Sequence, residues 1–300
     1  MIGAFNLHIR DLIIFETVAS KGSFSQAAQA LNYVQSNITS RIQKLEQTLD
    51  TKLFIRHQKG ITLTNEGEKL LTYAKKILSL VDEMKWIASN ETSPTGKLDI
   101  ASVETVIQLP LILSKYVKKY KDVDLTLSTG VSAELKHKVL QYELDGAFVT
   151  KSENIEDDDL HMIEVFHETL VIITSKSQNS FEEIMTLPLI RFSDGCGYRE
   201  KLDDYLSDHN IMPTKVMELG TLETTLGSVI SGLGIAYVPY AAVKEYESKG
   251  LIRCYPLPKK YSHITTVFIY RNDDYMTPAL QTFIDTVKVT TKNLQPTTEK

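Results

Sequence analysis

The chain has 300 residues, 42% hydrophobic and 24% charged, a composition that suits an ordinary globular protein and a length that calls for more than one domain. Its net charge of −5 excludes whole-molecule attraction to nucleic acid, so any such attraction is local: residues 1–90 carry 11 Lys+Arg against 8 Asp+Glu, the remainder 22 against 30. With only Cys196 and Cys254, no basic-then-apolar pattern in MIGAFNLHIRDL and no apolar run near the ~18 residues of a membrane span, neither a disulfide framework nor a zinc finger is available, no export signal or membrane span is expected, and the chain reads as a reduced cytoplasmic protein.

Leu12, Phe15, Val18 and Ala19 recur at helical spacing and predict a first helix over 8–20, broken by Lys21-Gly22. Ser23 or Ser25 caps a second, alanine-rich helix, SFSQAAQAL, and Asn32-Tyr33 turns tightly after it. Ile38, Ile42, Leu45 and Leu49 form one apolar stripe on a third helix over 35–49. Two extended runs, 53–55 and 61–63, flank Arg56-His57-Gln58-Lys59-Gly60 as a hairpin with a basic tip. Thr64 then opens a long helix in which Leu70, Ala74, Ile77, Val81, Met84 and Ala88 repeat at heptad spacing. Such a seam pairs with a second copy or packs on its own domain. A polar linker, 90–96, ends it.

Beyond the linker, strand-like and helical runs alternate. KLDIAS, a helix over 105–120, VDLTLST, a helix over 132–142 and DGAFVT come first. ETLVIITS, a helix near 180–187, PLIRFS, a helix near 198–209, KVMELG, a helix over 221–232 and GIAYVP follow. RCYPLP and ITTVFIYR add strands, 277–291 a last helix, and NLQPTTEK a frayed tail. This rhythm predicts an α/β fold with a mostly parallel sheet and crossover helices.

Two helices joined by a tight turn, the second beginning with polar side chains, make a helix-turn-helix, whose second helix enters the major groove. With Ile38, Ile42, Leu45 and Leu49 turned inward, Ser36, Ser40, Gln43 and Lys44 point outward, and Gln35, Thr39 and Arg41 lie at the margins. Gln pairs with adenine and Arg with guanine through two hydrogen bonds each, while Ser and Thr donate to bases or phosphates. Lys44, Arg56 and Lys59 suit phosphate contacts, which position without specifying. A merely solvated polar face is the alternative.

The stretches FETVASKGSFSQAAQALNYVQSNITSRIQKLEQTLDTKLFIR and GITLTNEG resemble the winged helix-turn-helix of LysR-type regulators without a gap. The resemblance implies DNA contacts by Gln35, Ser36, Thr39, Ser40, Arg41, Lys44, Arg56 and Lys59. Ser36 stands where proline is frequent, Ser40 where arginine is common, with Arg41 one residue later, and Lys59 where the wing has arginine. TLETTLGSVISGLGIAYVP resembles the same family's effector domain, a periplasmic-binding-protein-like fold of two α/β lobes. The implied domains are 7–65 for the winged head, 66–93 for the pairing helix and hinge, 94–292 for the effector domain and 293–300 for the tail. Lobe one takes 94–150 and 266–292, and lobe two takes 151–265, with crossovers near Thr150 and 264–268.

In such a fold the ligand sits where strands end and helices begin, because free N–H groups there favour anions. Ser102, Thr105, Thr129, Gly130, Phe148, Cys196 and Thr221 occupy those junctions, and a small anionic effector is expected, although hydroxyls at helix starts also serve as plain caps. SDGCGYR is similar to a Gly-Cys-x-Tyr-Arg pattern of one branch of the family. Cys196 at a helix start is either a reactive thiol of lowered pKa or a packed, inert one. Cys254 reads as core, and a regulatory disulfide between the two lacks support.

Seven histidines without ligand spacing, no Gly-x-Ser-x-Gly and no phosphate loop speak against an enzyme, a metal site or a cofactor. A solute-binding protein and a DNA-organising protein without ligand are the other readings. The partners implied are promoter DNA, a small effector, a second copy (with a tetramer from the family resemblance) and RNA polymerase.

Overall fold

The computed structural model describes residues 7–57, 60–89, 93–152, 155–176, 180–192, 194–273 and 276–292. The chain divides between residues 92 and 93 into two compact units. Lys59 at the hairpin tip, 90–92 of the linker, Ser193 and the tail 293–300 lie outside the described residues.

The first unit opens with three helices, α1 (Ile9–Lys21), α2 (Phe24–Ala30) and α3 (Gln35–Thr48). Gly22 stops α1 in the left-handed region at φ 60, which glycine adopts without strain. Ser23 caps α2 by accepting from the Gln26 amide. Asn32, at φ 56, makes the turn into α3. Ile38, Ile42 and Leu45 bury the inner face of α3 against Leu12, Phe15 and Val18 of α1 and Phe24 and Ala27 of α2. The wing is the antiparallel pair β1 (Phe54–His57) and β2 (Gly60–Leu63). Phe54 fixes it by meeting Phe15 edge-on at 5.5 Å and Phe24 at 5.9 Å. The long α4 (Asn65–Ser89) begins where Thr64 accepts from the Gly67 amide at 2.9 Å.

The second unit is built on one sheet. Its strands are β3 (Gly96–Ser102), β4 (Val123–Thr129), β5 (Gly146–Thr150), β6 (Leu160–Ser175), β7 (Leu189–Arg191), β8 (Val216–Glu218), β9 (Ile235–Pro239), β10 (Ile252–Pro256) and β11 (His263–Arg271). They run in the order β4-β3-β5-β11-β6-β9-β7-β8, with β10 paired to β6. Pairs β3–β4, β3–β5, β7–β8 and β7–β9 are parallel, while β6 and β11 pair antiparallel with each other and with their other neighbours. Lobe one is covered by α5 (Leu109–Lys119), α6 (Ser132–Leu140) and α12 (Pro278–Lys292). Lobe two carries α7 (Phe181–Ile184), α8 (Gly197–Asp208), α9 (Leu222–Ile230), α10 (Tyr240–Ser248) and α11 (Lys259–Ser262).

Four expectations need correction. The sheet is not mostly parallel: among the described residues four of its eight strand pairs are antiparallel, because β6 and β11 run between the lobes against their neighbours. α5 starts at Leu109 rather than at 105, because Pro110 cannot donate inside a helix and is accommodated in the first turn. α10 lacks an apolar period, burying only Val243, and is absent from the predicted elements. The first crossover is not at Thr150. Ile155 and Leu160 pack with Leu135, Val139 and Val149, and Val165 and Phe166 with Phe148 and Phe268, so residues up to 166 stay with lobe one. The core of lobe two begins at Leu170. The chain crosses in the middle of β6, where 166–169 pair with 263–266 of β11 beside a register shift between Thr266 and Val267. His161, Glu164, His167 and Glu168 interrupt the apolar run of β6, so only its second half reads as a strand in the sequence.

Candidate functional sites

On the outer face of α3, Gln35, Ser36, Ser40, Gln43 and Lys44 are exposed and Thr39 is half-buried. Arg41 differs from expectation. Its Nη1 donates to Asp11 Oδ1 of α1 at 2.6 Å, and Asp11 is only 4% exposed. A guanidinium committed to a buried carboxylate anchors α3 to α1 and is not free to pair with guanine. Arg10 takes a place beside this face that the sequence reading missed: with His8, Ile9, Ser40, Arg41 and Lys44 it lines a shallow concavity. Arg10 sits at the start of α1, far from α3 in the chain, and only the α1–α3 crossing brings it there. Arg56 on the wing stacks over the Phe24 ring at 4.8 Å and remains exposed. Glu46, buried, accepts from the Leu53 amide at 2.9 Å and from Lys52 at 2.8 Å, tying the end of α3 to the start of the wing.

The apolar seam of α4 is rotated from the predicted one. Ala74 is 2% exposed and, with Leu70, Leu71 and Leu78, belongs to the core of the head. Val81 is half-buried and Ala88 exposed. The large apolar side chains left exposed are Tyr73, Ile77, Leu80, Met84 and Ile87, again at heptad spacing. Ile77 and Met84 are shared with the predicted row. Packing of the first turns of α4 on the head uses one stripe and leaves the neighbouring one free.

In the second unit a cavity of about 190 Å³ opens between the lobes, walled by Val103, Glu104, Thr105, Thr129, Gly130, Val131, Thr150, Phe192, Cys196, Gly197 and Gly220. Thr105, Thr129, Gly130 and Cys196 are therefore where the sequence places them. Ser102 is buried and donates to the Val103 carbonyl at 2.8 Å, and Thr221 caps α9 through the Thr224 amide, so neither forms the wall. Phe148 points into the core of lobe one, 4.8 Å from the Phe268 ring. Residues alternate sides along a strand, and Phe148 falls on the core side. Glu104, Val131 and Phe192 have no local signal in the sequence, because a wall assembled from separate loops leaves none. A Cβ on Gly197 would collide with the Thr150 side chain, so glycine there lets the start of α8 close upon β5 across the cleft.

The starts of α6, α8 and α9 reach this wall through Val131, Cys196 and Gly220, and Thr105, Thr129 and Thr150 join them. Among the described residues the wall holds no Lys, Arg or His, and its carboxylate, Glu104, is pushed above the usual range by burial. Burial also pushes the Cys196 thiol up, which favours the packed thiol over the reactive one, and it pushes Cys254 up to about 12. Behind the cavity, Tyr198 of α8 donates to Glu168 of β6 at 3.2 Å and meets Thr105. Burial raises the Glu168 carboxyl above its ordinary range, and the hydroxyls of Tyr198 and Thr266 only partly offset this. The network joins both lobes at the crossover strands.

Comparison with known proteins matches residues 9–68 to the family model described as bacterial regulatory helix-turn-helix protein, lysR family, and residues 91–291 to the LysR substrate binding domain. The HTH-type transcriptional regulator SoxR of Arthrobacter sp. (strain TE1826) is 49% identical over 282 residues, which are 94% of this chain and 97% of that one. The HTH-type transcriptional regulator CzcR of Bacillus subtilis (strain 168) is 43% identical over 281 residues, with 94% and 97% covered. In fold, a full-length OxyR variant from Pseudomonas aeruginosa superposes with a TM-score of 0.74 over 95% of both chains at 19% identity. CbnR, solved with its target DNA, superposes with a TM-score of 0.63 over 94% of this chain and 99% of that one at 21% identity.

Proposed function

Because this chain belongs to the LysR family of bacterial transcriptional regulators, we propose that its head reads promoter DNA with the outer face of α3 while its body binds a small effector between the lobes. The observation that carries this reading is the sorting of α3: Ile38, Ile42 and Leu45 are buried, and Gln35, Ser36, Ser40 and Lys44 are left to solvent. Gln35, Ser36 and Ser40 meet base edges, while Lys44, Arg10, Arg56 and Lys59 meet phosphates, and Thr39 sits at the margin between the two sets. Arg41 supports them from behind.

Two copies pair along Tyr73, Ile77, Leu80, Met84 and Ile87, which buries an apolar row that one copy leaves wet. Paired heads ask for a two-fold symmetric site. Two such pairs form the tetramer, and RNA polymerase at the cytoplasmic promoter receives the signal. The effector presents hydrogen-bond acceptors to the starts of α6, α8 and α9, as a carboxylate does. Glu104 in the wall disfavours a multiply charged anion. A cavity of about 190 Å³ suits a metabolite smaller than a drug-sized ligand. The effector acts by favouring one arrangement of the lobes over another, and it shifts the heads only as far as its affinities for the two differ.

The test is selection of sites by the full-length chain from random duplex DNA, followed by titration at several salt concentrations. A symmetric sequence preference, with affinity falling steeply as salt rises, is the expected result. Binding without preference over random competitor would overturn the reading, and light scattering of the purified chain checks the assembly.

A further inference from the structure

The N-cap of α3 is Val34, in extended backbone at φ −80 and ψ 143, and it makes no side-chain cap. That position favours Ser, Thr, Asp or Asn, whose oxygen accepts from an early amide of the helix. The chain uses this device at Ser23 for α2, Ser180 for α7 and Thr221 for α9. His8, Gln108, Cys196, Pro239 and Pro258 make no side-chain cap either, so a missing cap alone does not set α3 apart; Val131, the other valine at a helix start, is half-buried in the cleft wall. Val34 has no such explanation, since its side chain is 69% exposed and lies outside the core of the head. An apolar, β-branched residue thus stands at the head of the helix assigned to DNA reading, where a hydroxyl would stabilise the helix more.

The groove supplies what solvent does not. The N-terminal residues of a recognition helix touch base edges, and thymine alone among the bases shows a methyl group in the major groove. We propose that Val34 is a specificity-determining residue that packs its methyls on the C5 methyl of a thymine, next to the base met by Gln35. The inference rests on the DNA-reading function proposed above and adds a defined base to it. Cytosine in the same place offers a polar amino edge with no methyl, and a purine offers its N7 acceptor, so neither repays desolvation of the valine. The stability forfeited by leaving α3 uncapped is exchanged for discrimination.

The experiment takes the tightest duplex recovered by the selection and replaces its thymines one at a time with deoxyuridine, which removes the methyl and keeps every hydrogen-bonding group. Full-length wild type, Val34→Ala and Val34→Ser are titrated against each duplex. Wild type should lose about fourfold in affinity per half-site at one thymine position, the effect of one buried methyl-sized group. Val34→Ala and Val34→Ser should bind the thymine and deoxyuridine duplexes equally there. Val34→Ser should also melt no lower than wild type, since it supplies the missing cap, so its lost discrimination would not reflect a damaged head. Additive effects of deoxyuridine and Val34→Ala at every thymine would overturn the proposal while leaving the DNA-reading function intact. A tightest duplex without thymine in its half-sites would do the same. Binding with no sequence preference would overturn both.

Discussion

The head carries the groups proposed to read DNA along one helix, with Gln35, Ser36, Ser40 and Lys44 exposed on a face whose opposite side is core. The body takes its cleft wall from segments as distant as Val103, Thr150, Cys196 and Gly220, and each contributes a side chain or an amide from a strand end or a helix start. A surface that reads a long, regular polymer is satisfied by one rigid helix and a few long side chains. A site that encloses a small molecule has to converge from several directions, so it depends on loops that close on one another. The consequence is a difference in tolerance. On the proposed roles, the head separates the residues that read from those that hold the fold, whereas in the body the cleft wall and the lobe packing share residues such as Gly197 and Thr150.

The largest expected effect tests that separation at its weakest point. Arg41→Ala leaves Asp11 buried without its cation and should destabilise the head by about 2–3 kcal/mol in chemical denaturation. The paired change Asp11→Asn with Arg41→Gln should recover most of it. If Arg41→Ala instead leaves stability intact and only weakens DNA binding, Arg41 is a reader and the comparison fails. In the body, Gly197→Ala drives a Cβ into Thr150 and should lower stability by about 1–3 kcal/mol in calorimetry while leaving DNA affinity of the folded protein unchanged. Gln35→Ala should do the reverse, with no change in melting and about a tenfold loss of affinity for the selected site, confined to one base position.

The smallest effect concerns the lobe junction. Glu168 has a carboxyl pKa raised in the folded state, so the native protein holds that proton more tightly than the unfolded chain. Its contribution is fully present below the ordinary carboxylate range and is lost as pH rises through the raised value. Glu168→Gln should therefore flatten the dependence of melting temperature on pH across that window and raise it at neutral pH by on the order of a few degrees. A variant with the wild-type pH profile would show that the carboxyl does not titrate differently in the fold.

Much of the head was readable from the sequence, because its signals are short-range. Gly22, Ser23 and Asn32 mark the helix boundaries through local backbone chemistry, and the stripe of Ile38, Ile42 and Leu45 identifies the outer face of α3 by subtraction. The clamp from Asp11 to Arg41 was not readable, since it joins residues thirty apart whose meeting depends on how α1 crosses α3. The alternation of strands and helices in the body was also readable, but the crossover was misplaced to Thr150. Polar residues within β6 conceal a strand that serves both lobes. Thr105, Thr129, Gly130 and Cys196 line the cavity, as strand ends and helix starts visible in a pattern suggest, whereas Phe148 lies in the core because the pattern does not say which side of a strand faces the cleft.

By itself, then, the amino-acid order determined which side of each element is apolar, where elements stop, and that a groove-reading helix precedes an α/β sensor. Tertiary packing alone decided which apolar stripe of α4 stays free, which cation near α3 is already engaged, and which loop ends enclose the cavity. Periodicity is a property of neighbours along the chain and records the existence of a face. What covers that face depends on contacts between distant residues, which no local spacing encodes.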